Sequence, residues 1–515
     1  MERSFPAEAD VVIVGSGPTG AAYARILSEQ APGRRIVVLE AGPQLADPPG
    51  LHVKNIEDED ARREAQRRSE GLRPHTVTAG TRGYADPSKR VVRPGTQLLE
   101  RDFQVDGEDG LPAGAMSTNV GGMGAHWTCA CPRPGEGELI RFLPDLEVLL
   151  DEAERLLGVS RNPFAGAPYA DEVRRRLSAE FDAGRAPDRR VAPMPLAVHT
   201  RGDGALVWSG PDVVFGDVTR ANPDFTLLPE ALVTRVLVED GRAAGVEVRD
   251  RTDGSLHTVR AAFVVVAADA FRTPQVLFAS GVRPPALGRY LNDQSQVVFA
   301  VRLRDVDTAD QDGAPAGAIA REGGVSWVPY TDEHPFHGQV MQLDASPIPL
   351  VDQDEPAPGT IVGLGWFCAK DLQASDRIEF TDEATDEWGM PKPTIHYVLT
   401  ERDHATFDEA KATIVRAARA LGDFIGDAPI VLAPGASLHY QGSTRMGEVD
   451  DGTSVCSPTC EVWGVDGLYV AGNNVIPSAI ACNPTLTSVA LAVRGARAIA
   501  ARLPARVGAE AGSAR

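Results

Sequence analysis

The chain has 515 residues of ordinary globular composition, 43% of them hydrophobic, so it is long enough for a large core shared between two or three domains. Its net charge of −21 repels phosphate backbones and anionic lipid surfaces, which disfavours binding to nucleic acid or to a membrane. No apolar run is long enough to span a bilayer and no apolar signal segment opens the chain, so we expect a cytoplasmic protein.

The cysteines are too few and too scattered for a disulfide framework. No closely spaced pair has a second Cys or His pair at the spacing typical of zinc sites. We therefore expect reduced thiols and no metal at the six positions Cys129, Cys131, Cys368, Cys456, Cys460 and Cys482.

The chain opens with a strand, a glycine-rich turn and a helix. Residues 11–14 are fully apolar, residues 21–30 have helical composition, and a second strand at 35–39 ends in Glu40. Between the first strand and the helix lies the pattern Gly15-x-Gly17-x-x-Gly20, with an acidic residue 20 positions after its last glycine. This βαβ start is typical of dinucleotide-binding folds.

Each residue type in this motif has a physical role. Gly15 and Gly17 allow a tight turn and close approach of backbone N–H groups to a pyrophosphate, and Gly20 lets the helix pack on the strand. The Glu40 carboxylate accepts hydrogen bonds from a ribose 2′-OH and repels a 2′-phosphate. The alternative is a glycine turn in an unrelated fold, but the strand, helix and acidic residue favour bound FAD or NAD over NADP.

Further elements follow in chain order. The apolar spacing predicts a helix over 146–157 and strands in hairpins between 225 and 268, and 401–425 is helical in composition. The stretches 305–325 and 351–359 are rich in Asp, Gly, Pro and Ala and indicate surface loops. We find no internal repeat.

Five ordered segments resemble the glucose-methanol-choline (GMC) oxidoreductases, and within that superfamily the pyranose oxidases and bacterial glycoside oxidases. The resemblance covers nearly the whole chain and implies FAD as the cofactor. The run His-Trp-Thr-Cys-Ala in the first segment favours the pyranose-oxidase group. The segments are 120–130 (VGGMGAHWTCA), 268–281, 386–394, 439–447 (HYQGSTRMG) and 468–477, which runs into Asn483-Pro484-Thr485.

Alcohol oxidation by hydride transfer to flavin N5 also requires a base for the hydroxyl proton, and histidine suits that role near neutral pH. His439 and Asn483 match the catalytic His/Asn pair of the family. The resemblance implies that His439 is the base and that Asn483 orients the substrate hydroxyl. On its own, His439 has a plainer interpretation as a hydrogen-bonded core histidine.

The resemblance also assigns cofactor contacts. His126 matches the histidine that fungal pyranose oxidases bond covalently to the flavin, but Gly124-Ala125 replaces their usual Ser-Thr, which leaves the covalent bond open. Thr128 matches a residue near flavin N5 and O4, with a plain strand threonine as the alternative. Val233 matches a backbone position near the adenine, and Asn474 is a further predicted contact.

Asn483-Pro484-Thr485 predicts a helix start, with Asn483 as N-cap, Pro484 as the first helical residue and 486–501 continuing the helix. A helix N-terminus directed at the flavin would stabilise negative charge on the reduced ring, so Pro484 and Thr485 are predicted cofactor contacts. An ordinary capped C-terminal helix would have the same local sequence.

The segment 344–350 (DASPIPL) stands where the family has its substrate loop, which assigns Ser346 and Pro347 to the substrate, together with Gln441. A plain surface connection is the alternative for this loop. The chain is shorter than the fungal enzymes and lacks room for their oligomerisation arm, which implies a monomer or small homo-oligomer with an open active site.

The predicted fold is mixed α/β, with a Rossmann-like FAD-binding domain of GMC type interwoven with a substrate-binding domain on a large, mostly antiparallel sheet. We assign 1–48, 112–142, 191–300 and 440–515 to the FAD-binding domain. The substrate-binding domain and its excursions take 49–111, 143–190 and 301–439.

The expected activity is FAD-dependent oxidation of a secondary ring hydroxyl of a pyranose sugar or glycoside, with C3 favoured over C2 and with O2 or another acceptor reoxidising the flavin. Three alternatives stay open at this point. They are a GMC enzyme for a non-sugar alcohol such as choline or a sterol, a flavin-binding protein without catalysis, and an NAD-dependent sugar dehydrogenase.

Overall fold

The computed structural model describes residues 4–69, 97–99, 101–202, 204–307, 324–343 and 359–503. Two larger sheets organise these residues, each with its own buried core. The predicted α/β fold with a separate antiparallel sheet is confirmed.

The first sheet has seven strands, in the order β8-β2-β1-β11-β10-β9, with β19 also paired to β11. Its central strands β8, β2, β1, β11 and β19 run parallel, and β9 and β10 extend it as antiparallel hairpins. Its strands are β1 (Glu8–Val14), β2 (Ile36–Leu39), β8 (Phe225–Leu228), β9 (Ala231–Glu239), β10 (Arg242–Asp250), β11 (Leu256–Val266) and β19 (Leu468–Val470).

The second sheet is antiparallel, in the order β18-β12-β15-β14-β13-β5. Its strands are β5 (Ala192–Pro193), β12 (Ser295–Leu303), β13 (Val325–Val328), β14 (Phe336–Leu343), β15 (Ile361–Cys368) and β18 (Gly422–Val431). Three two-stranded ribbons complete the described strands: β3 (Gln97–Leu98) with β4 (Ala115–Met116), β6 (Val198–Thr200) with β7 (Leu206–Trp208), and β16 (Arg377–Thr385) with β17 (Pro391–His396).

The helices cover the sheets. Helices α1, α3 and α8 pack on one another beside the seven-stranded sheet, and α4 and α7 pack against the antiparallel sheet. The helices are α1 (Pro18–Gln30), α2 (Glu59–Ser69), α3 (Leu146–Leu157), α4 (Ala170–Phe181), α5 (Pro211–Ala221), α6 (Asp269–Ala279), α7 (Glu401–Leu421) and α8 (Thr485–Arg502).

Several sequence predictions are confirmed. The βαβ start is present as β1, α1 and β2, and α3 covers the residues predicted for it. The apolar stripe of α3 is buried, as its spacing requires. All six cysteines are free and buried.

The strands predicted in hairpins between 225 and 268 are confirmed: β9 pairs antiparallel with β10, and β10 with the buried β11. One prediction is wrong in part. The helix predicted over 401–425 ends at Leu421, because Gly422 begins β18 and lies so close to the neighbouring strand that a Cβ there would meet the Arg302 carbonyl oxygen. The error comes from long-range pairing that overrides local pattern.

Candidate active site

The glycine turn after β1 is shaped by backbone contacts that leave no room for side chains. Gly15 has φ +98°, and a Cβ there would lie 2.3 Å from the Ala267 carbonyl oxygen. A Cβ on Gly20 would lie 2.1 Å from the Gly15 carbonyl oxygen. These two glycines are therefore required by the packing of the turn itself.

Gly17 differs from its two neighbours in the motif. Its φ is −63°, and the nearest atom to a Cβ there would be the Gly121 carbonyl oxygen at 4.0 Å. Gly17 is also the N-cap of α1, whose first turn holds no acidic residue and whose N-terminal N–H groups receive no side-chain cap. This is the arrangement in which a helix N-terminus accepts a phosphate group.

Glu40 lies at the end of β2, buried beside the turn. Its Oε2 accepts hydrogen bonds from the Ser16 backbone N–H (3.1 Å) and hydroxyl (2.7 Å), and its Oε1 accepts one from the Gly42 N–H (3.0 Å). Burial raises the pKa of Glu40, and the hydrogen bonds from Ser16 and Gly42 oppose that rise. The carboxylate is thus fixed where the motif predicts the ribose contact.

His126 is buried at the end of a short 3-10 turn (Gly122–Ala125). Its Nε2 lies 2.8 Å from the Ser117 hydroxyl, and its Nδ1 is buried with no partner among the described residues. Burial lowers the pKa of His126 to about 3, and repulsion from the nearby His52 acts in the same direction. His126 is therefore neutral near pH 7.

The other predicted cofactor contacts lie in different environments. Thr128 is exposed and belongs to no strand, which removes the strand-threonine alternative. Val233 is buried in β9, opposite Val248. Asn474 is fully buried; its Nδ2 donates to the Thr444 hydroxyl at 2.6 Å, and its Oδ1 has no partner in the described part of the chain.

Backbone contacts connect the glycine turn to the segment of the predicted base. Gly15 abuts Ala267, and the Ala471 N–H donates to the Val266 carbonyl at 2.9 Å. Farther along, the Thr444 N–H donates to the Asn474 carbonyl at 3.0 Å. The chain that follows His439 is thereby joined to the sheet edge that carries the dinucleotide motif.

These features fit an FAD molecule. Gly17 leaves open space at the N-terminus of α1, that terminus is uncapped, and a buried carboxylate stands where the motif predicts the ribose. His126 Nδ1 and Asn474 Oδ1 are buried polar atoms without protein partners among the described residues, a costly state that a polar cofactor would relieve.

The predicted catalytic pair is brought together. Asn483 Nδ2 lies 3.4 Å from His439 Nε2, and His439 Nδ1 lies 2.7 Å from Gln294 Oε1. The imidazole also stacks on Phe367, with ring centroids 5.3 Å apart. His439 is half-buried. A histidine held on one nitrogen and facing an amide on the other is suited to accept a proton from a bound hydroxyl.

The prediction that Asn483 is the N-cap of the last helix is wrong. Helix α8 begins at Thr485 with Pro484 as N-cap, and no side chain caps it. The Asn483 side chain instead accepts a hydrogen bond of 2.6 Å from Gln339 Nε2 and faces His439. Its amide faces His439 because β14 brings Gln339 within reach of Asn483 Oδ1.

Two buried side chains hold the loop before Asn483. Glu138 Oε1 accepts hydrogen bonds from the Ala481 N–H (2.6 Å) and the Cys482 N–H (2.9 Å). Gln294 Nε2 donates to the carbonyls of Ile480 (2.6 Å) and Cys482 (2.7 Å). Burial raises the pKa of Glu138, and its backbone hydrogen bonds oppose that rise.

Sequence reasoning missed Glu138, Gln294 and Gln339. None of the three belongs to a motif, and each meets its partner across more than 140 residues of chain. The one usable signal was a polar side chain next to or within a strand of the buried antiparallel sheet, as Gln294 and Gln339 are, because such a side chain needs a buried partner.

Of the three predicted substrate residues, the structure describes one, Gln441. Ser346 and Pro347 lie outside the described residues, so the expected substrate loop stays a prediction. Gln441 is fully buried, and neither atom of its side-chain amide has a partner among the residues that the structure describes. Its role in substrate binding also remains a prediction.

Within the described ranges, no group of three or more His, Cys, Asp or Glu side chains is placed to hold a metal ion. In the same ranges, no helix combines the length and the apolar character needed to cross a bilayer.

Three family models match parts of the chain. Residues 211–296 and 374–492 match two models described as GMC oxidoreductase. Residues 13–91 match a model described as an NAD(P)-binding Rossmann-like domain, which includes the glycine turn and Glu40. The matches cover the dinucleotide motif and the segment that carries His439 and Asn483.

Similar proteins extend these matches to the full length. The chain is 62% identical to a C-glycoside 3-oxidase from Arthrobacter globiformis, over 97% of this chain and 96% of that protein. It is 32% identical to a pyranose 2-oxidase from Tricholoma matsutake, over 96% and 94% of the two chains. Among solved structures, formate oxidase from Aspergillus oryzae superposes with a TM-score of 0.67 at 15% identity, covering 97% of this chain and 99% of that one.

Proposed function

This chain belongs to the GMC family of FAD-dependent oxidoreductases, and we propose that it oxidises the C3 hydroxyl of pyranose glycosides to a ketone. The observation that carries the chemistry is the buried Asn483 amide 3.4 Å from the Nε2 atom of His439. The substrate class rests on the 62% identity to a C-glycoside 3-oxidase across nearly the whole chain.

In the proposed reaction His439 Nε2 accepts the proton of the substrate hydroxyl, and Asn483 Nδ2 donates a hydrogen bond to the same oxygen. Bound FAD would supply a two-electron acceptor for the hydride of the carbon that bears this hydroxyl. Holding the hydroxyl between a base and a donor fixes the direction in which the C–H bond points, which lowers the entropic part of the barrier.

The residues around the dinucleotide motif have supporting roles in this proposal. The N-terminus of α1 and Gly17 would hold the pyrophosphate, and Glu40 the ribose. His126, Thr128, Asn474, Pro484 and Thr485 are proposed flavin contacts, and Val233 an adenine contact. The segment 344–350 with Ser346 and Pro347, together with Gln441, is proposed to bind the sugar.

The test is a donor panel of glucose, O-glycosides and C-glycosides, followed by NMR identification of the keto position in each product. We expect the fastest flavin reduction with glycosides and a carbonyl at C3. A carbonyl at C2 would correct the regiochemistry. Flavin bleaching only by simple non-sugar alcohols would overturn the substrate class, and bleaching by no donor would indicate a binding protein without catalysis.

We also propose O2 as electron acceptor and a monomer or small homo-oligomer as the working form. If O2 is the acceptor, hydrogen peroxide and keto-sugar should form in equal amounts in air. Turnover only with an added quinone or dye would contradict this. Light scattering of the holoenzyme measures the oligomeric state directly.

A further inference from the structure

Gln294 stands behind the proposed base and is almost completely buried. Its Oε1 lies 2.7 Å from His439 Nδ1, and its Nε2 lies 2.6 Å and 2.7 Å from the carbonyl oxygens of Ile480 and Cys482. One amide therefore touches both the base and the loop that carries Asn483.

The two carbonyls fix which way this amide points. A carbonyl oxygen only accepts hydrogen bonds, so the group that faces Ile480 and Cys482 must be the NH₂ of Gln294, which has two hydrogens to donate. Rotating the amide by 180° would place its oxygen against two carbonyl oxygens and leave three buried acceptors without donors. Oε1 is therefore the atom that faces His439.

The orientation of the amide in turn fixes the proton of the imidazole. Oε1 has no hydrogen, so His439 Nδ1 must carry one to make the 2.7 Å bond. In the neutral ring Nε2 then holds the lone pair, and Nε2 is the atom that faces Asn483. The same conclusion follows from the other side, because Gln339 donates to Asn483 Oδ1 and turns the Asn483 NH₂ towards Nε2.

We propose that Gln294 is a positioning residue that keeps the His439 proton on Nδ1, so that Nε2 is always the basic nitrogen presented to the substrate. The inference rests on the proposed role of His439 as the base. Gln294 touches no reacting atom in this scheme: its oxygen acts through the imidazole, and its NH₂ holds the loop that carries Asn483.

Two other ionisable groups of the described residues lie near this histidine. His337 lies on the far side of Phe367, which stacks on both imidazoles. Asp293 is buried next to Gln294 and accepts hydrogen bonds from the backbone N–H groups of Gly435 and His439. These groups stay the same in every Gln294 variant, so differences between variants report on the residue at 294.

The experiment measures anaerobic flavin reduction by a glycoside against pH in the full-length holoenzyme and two variants. Gln294→Met removes the acceptor, so we expect the limiting rate to fall roughly ten- to a hundredfold, as for other residues that orient a functional histidine. Glycoside affinity should stay within about threefold, because a positioning residue does not touch the sugar.

The pH profile separates this role from a purely structural one. Without an acceptor for Nδ1–H the imidazolium is less favoured, so Gln294→Met should move the acid limb of the profile to lower pH. Gln294→Glu keeps an acceptor and adds negative charge, so it should move the acid limb to higher pH. Its rate should stay below that of the wild type, because the carboxylate cannot donate to the Ile480 and Cys482 carbonyls. Acid limbs that coincide with the wild type in both variants would overturn the proposal.

A matched control variant and a direct measurement on the wild type show whether misfolding accounts for the results. Gln275→Met removes another buried glutamine that donates two hydrogen bonds, to Asp386 and the Pro391 carbonyl, and it should leave the profile unchanged. Long-range ¹H–¹⁵N correlation of the wild-type holoenzyme labelled in histidine identifies the His439 tautomer without any variant. A proton found on Nε2 in the neutral ring would refute the proposal.

Failure of the Gln294 proposal can be distinguished from failure of the proposed function. If His439→Ala reduces its flavin at the wild-type rate, the assignment of the base is wrong and Gln294 has nothing to position. If His439→Ala is inactive while both Gln294 variants behave as wild type, only the present inference fails.

Discussion

Gln339 Nε2 donates a hydrogen bond of 2.6 Å to Asn483 Oδ1, and both side chains are buried. Because the bond occupies the amide oxygen, the Asn483 NH₂ turns towards His439 Nε2, 3.4 Å away. The orientation of the residue that is proposed to hold the substrate oxygen therefore depends on a strand of the antiparallel sheet.

We predict that Gln339→Leu slows flavin reduction about tenfold or more, because it leaves Asn483 Oδ1 buried without a donor at a cost of about 1–3 kcal/mol. Stopped-flow reduction by a glycoside measures the rate. If Gln339 acts by orienting Asn483, its substitution should cost much less in an Asn483→Ala background. Equal losses in both backgrounds would show that Gln339 acts on something other than Asn483.

Substitution of the proposed base gives a second prediction. His439→Ala should lower the rate of flavin reduction by roughly 10²–10⁴-fold, the usual contribution of a positioned base. The FAD content should stay at the wild-type level, and added imidazole should restore part of the rate. Unchanged reduction by every active sugar would remove His439 from the mechanism.

Features of the fold that depend on local sequence patterns could be predicted from the sequence. The βαβ start and the exact residues of α3 follow from periodicity and glycine spacing, whereas the pairing of His439 with Asn483 follows from the resemblance to the family. The supporting contacts of Glu138, Gln294 and Gln339 could not be predicted, because each depends on how strands far apart in the chain meet. The proposed domain boundaries stay a prediction.

At the end of α7 and the start of α8, tertiary contacts that local sequence does not predict decide the conformation of single residues. Composition favours helix beyond Leu421, yet the chain turns there to pair with β12 as β18. Asn483 has the sequence of an N-cap, yet its amide is engaged by Gln339. In both places a tertiary contact outcompetes the local preference.

A third prediction separates two glycines of the dinucleotide motif. Gly17→Ala should leave the thermal stability of the apoprotein unchanged, because a Cβ there meets only the Gly121 carbonyl oxygen, at 4.0 Å. It should still weaken FAD binding, since the methyl group stands where the phosphate would approach. FAD titration of the apoprotein measures the affinity, and calorimetry the stability.

Gly20→Ala is the matched comparison. A Cβ at this position would lie 2.1 Å from the Gly15 carbonyl oxygen, so α1 must shift away from β1. We expect a large loss of apoprotein stability in addition to lost FAD binding. If Gly17→Ala and Gly20→Ala are equally destabilised without FAD, the distinction drawn from the geometry is wrong.

A fourth prediction concerns how FAD is attached. Asn119 Nδ2 donates to the carbonyls of Val120 and Gly122, so its Oδ1 accepts the Ser117 hydroxyl hydrogen, at 2.8 Å. The Ser117 oxygen must then accept from His126 Nε2, which places the imidazole proton on Nε2. A protonated nitrogen has no lone pair for bonding to the flavin.

We therefore expect FAD bound without a covalent link through His126 Nε2. Acid precipitation should release all of the flavin into the supernatant, and the denatured protein should show no flavin fluorescence on a gel. His126→Ala should give the same release with weaker FAD affinity. A fluorescent wild-type band that disappears in His126→Ala would establish a covalent bond through His126. A bond mapped to Nε2 would contradict the assigned tautomer, whereas a bond mapped to Nδ1 would use the nitrogen that keeps its lone pair.

The last prediction concerns a buried histidine behind the proposed catalytic pair. His337 is fully buried and stacks on Phe367 at 5.1 Å, and neither ring nitrogen has a partner among the described residues. Burial lowers the pKa of His337 to about 3, and repulsion from His439 adds to this. Because an unfolded histidine has a pKa of about 6.5, the unfolded chain binds this proton first as the pH falls.

The direction of the pH dependence of stability follows from this difference between the folded and unfolded pKa values. The free energy of unfolding is unaffected by His337 above about pH 6.5 and falls by about 1.4 kcal/mol per pH unit between there and about pH 3. His337→Phe should remove this slope from the pH dependence of the free energy of unfolding. Asp212 and Asp269, whose pKa values burial raises to about 6, act in the opposite direction in both proteins, so the comparison of variant with wild type cancels them.

Urea unfolding of the wild type and of His337→Phe at pH 7 and pH 5 measures the difference, with His404→Gln at an exposed position as the control. The variant should gain stability relative to the wild type on going to pH 5, whatever its effect at pH 7. Parallel losses in the two proteins would mean that the folded protein takes up the His337 proton as readily as the unfolded chain.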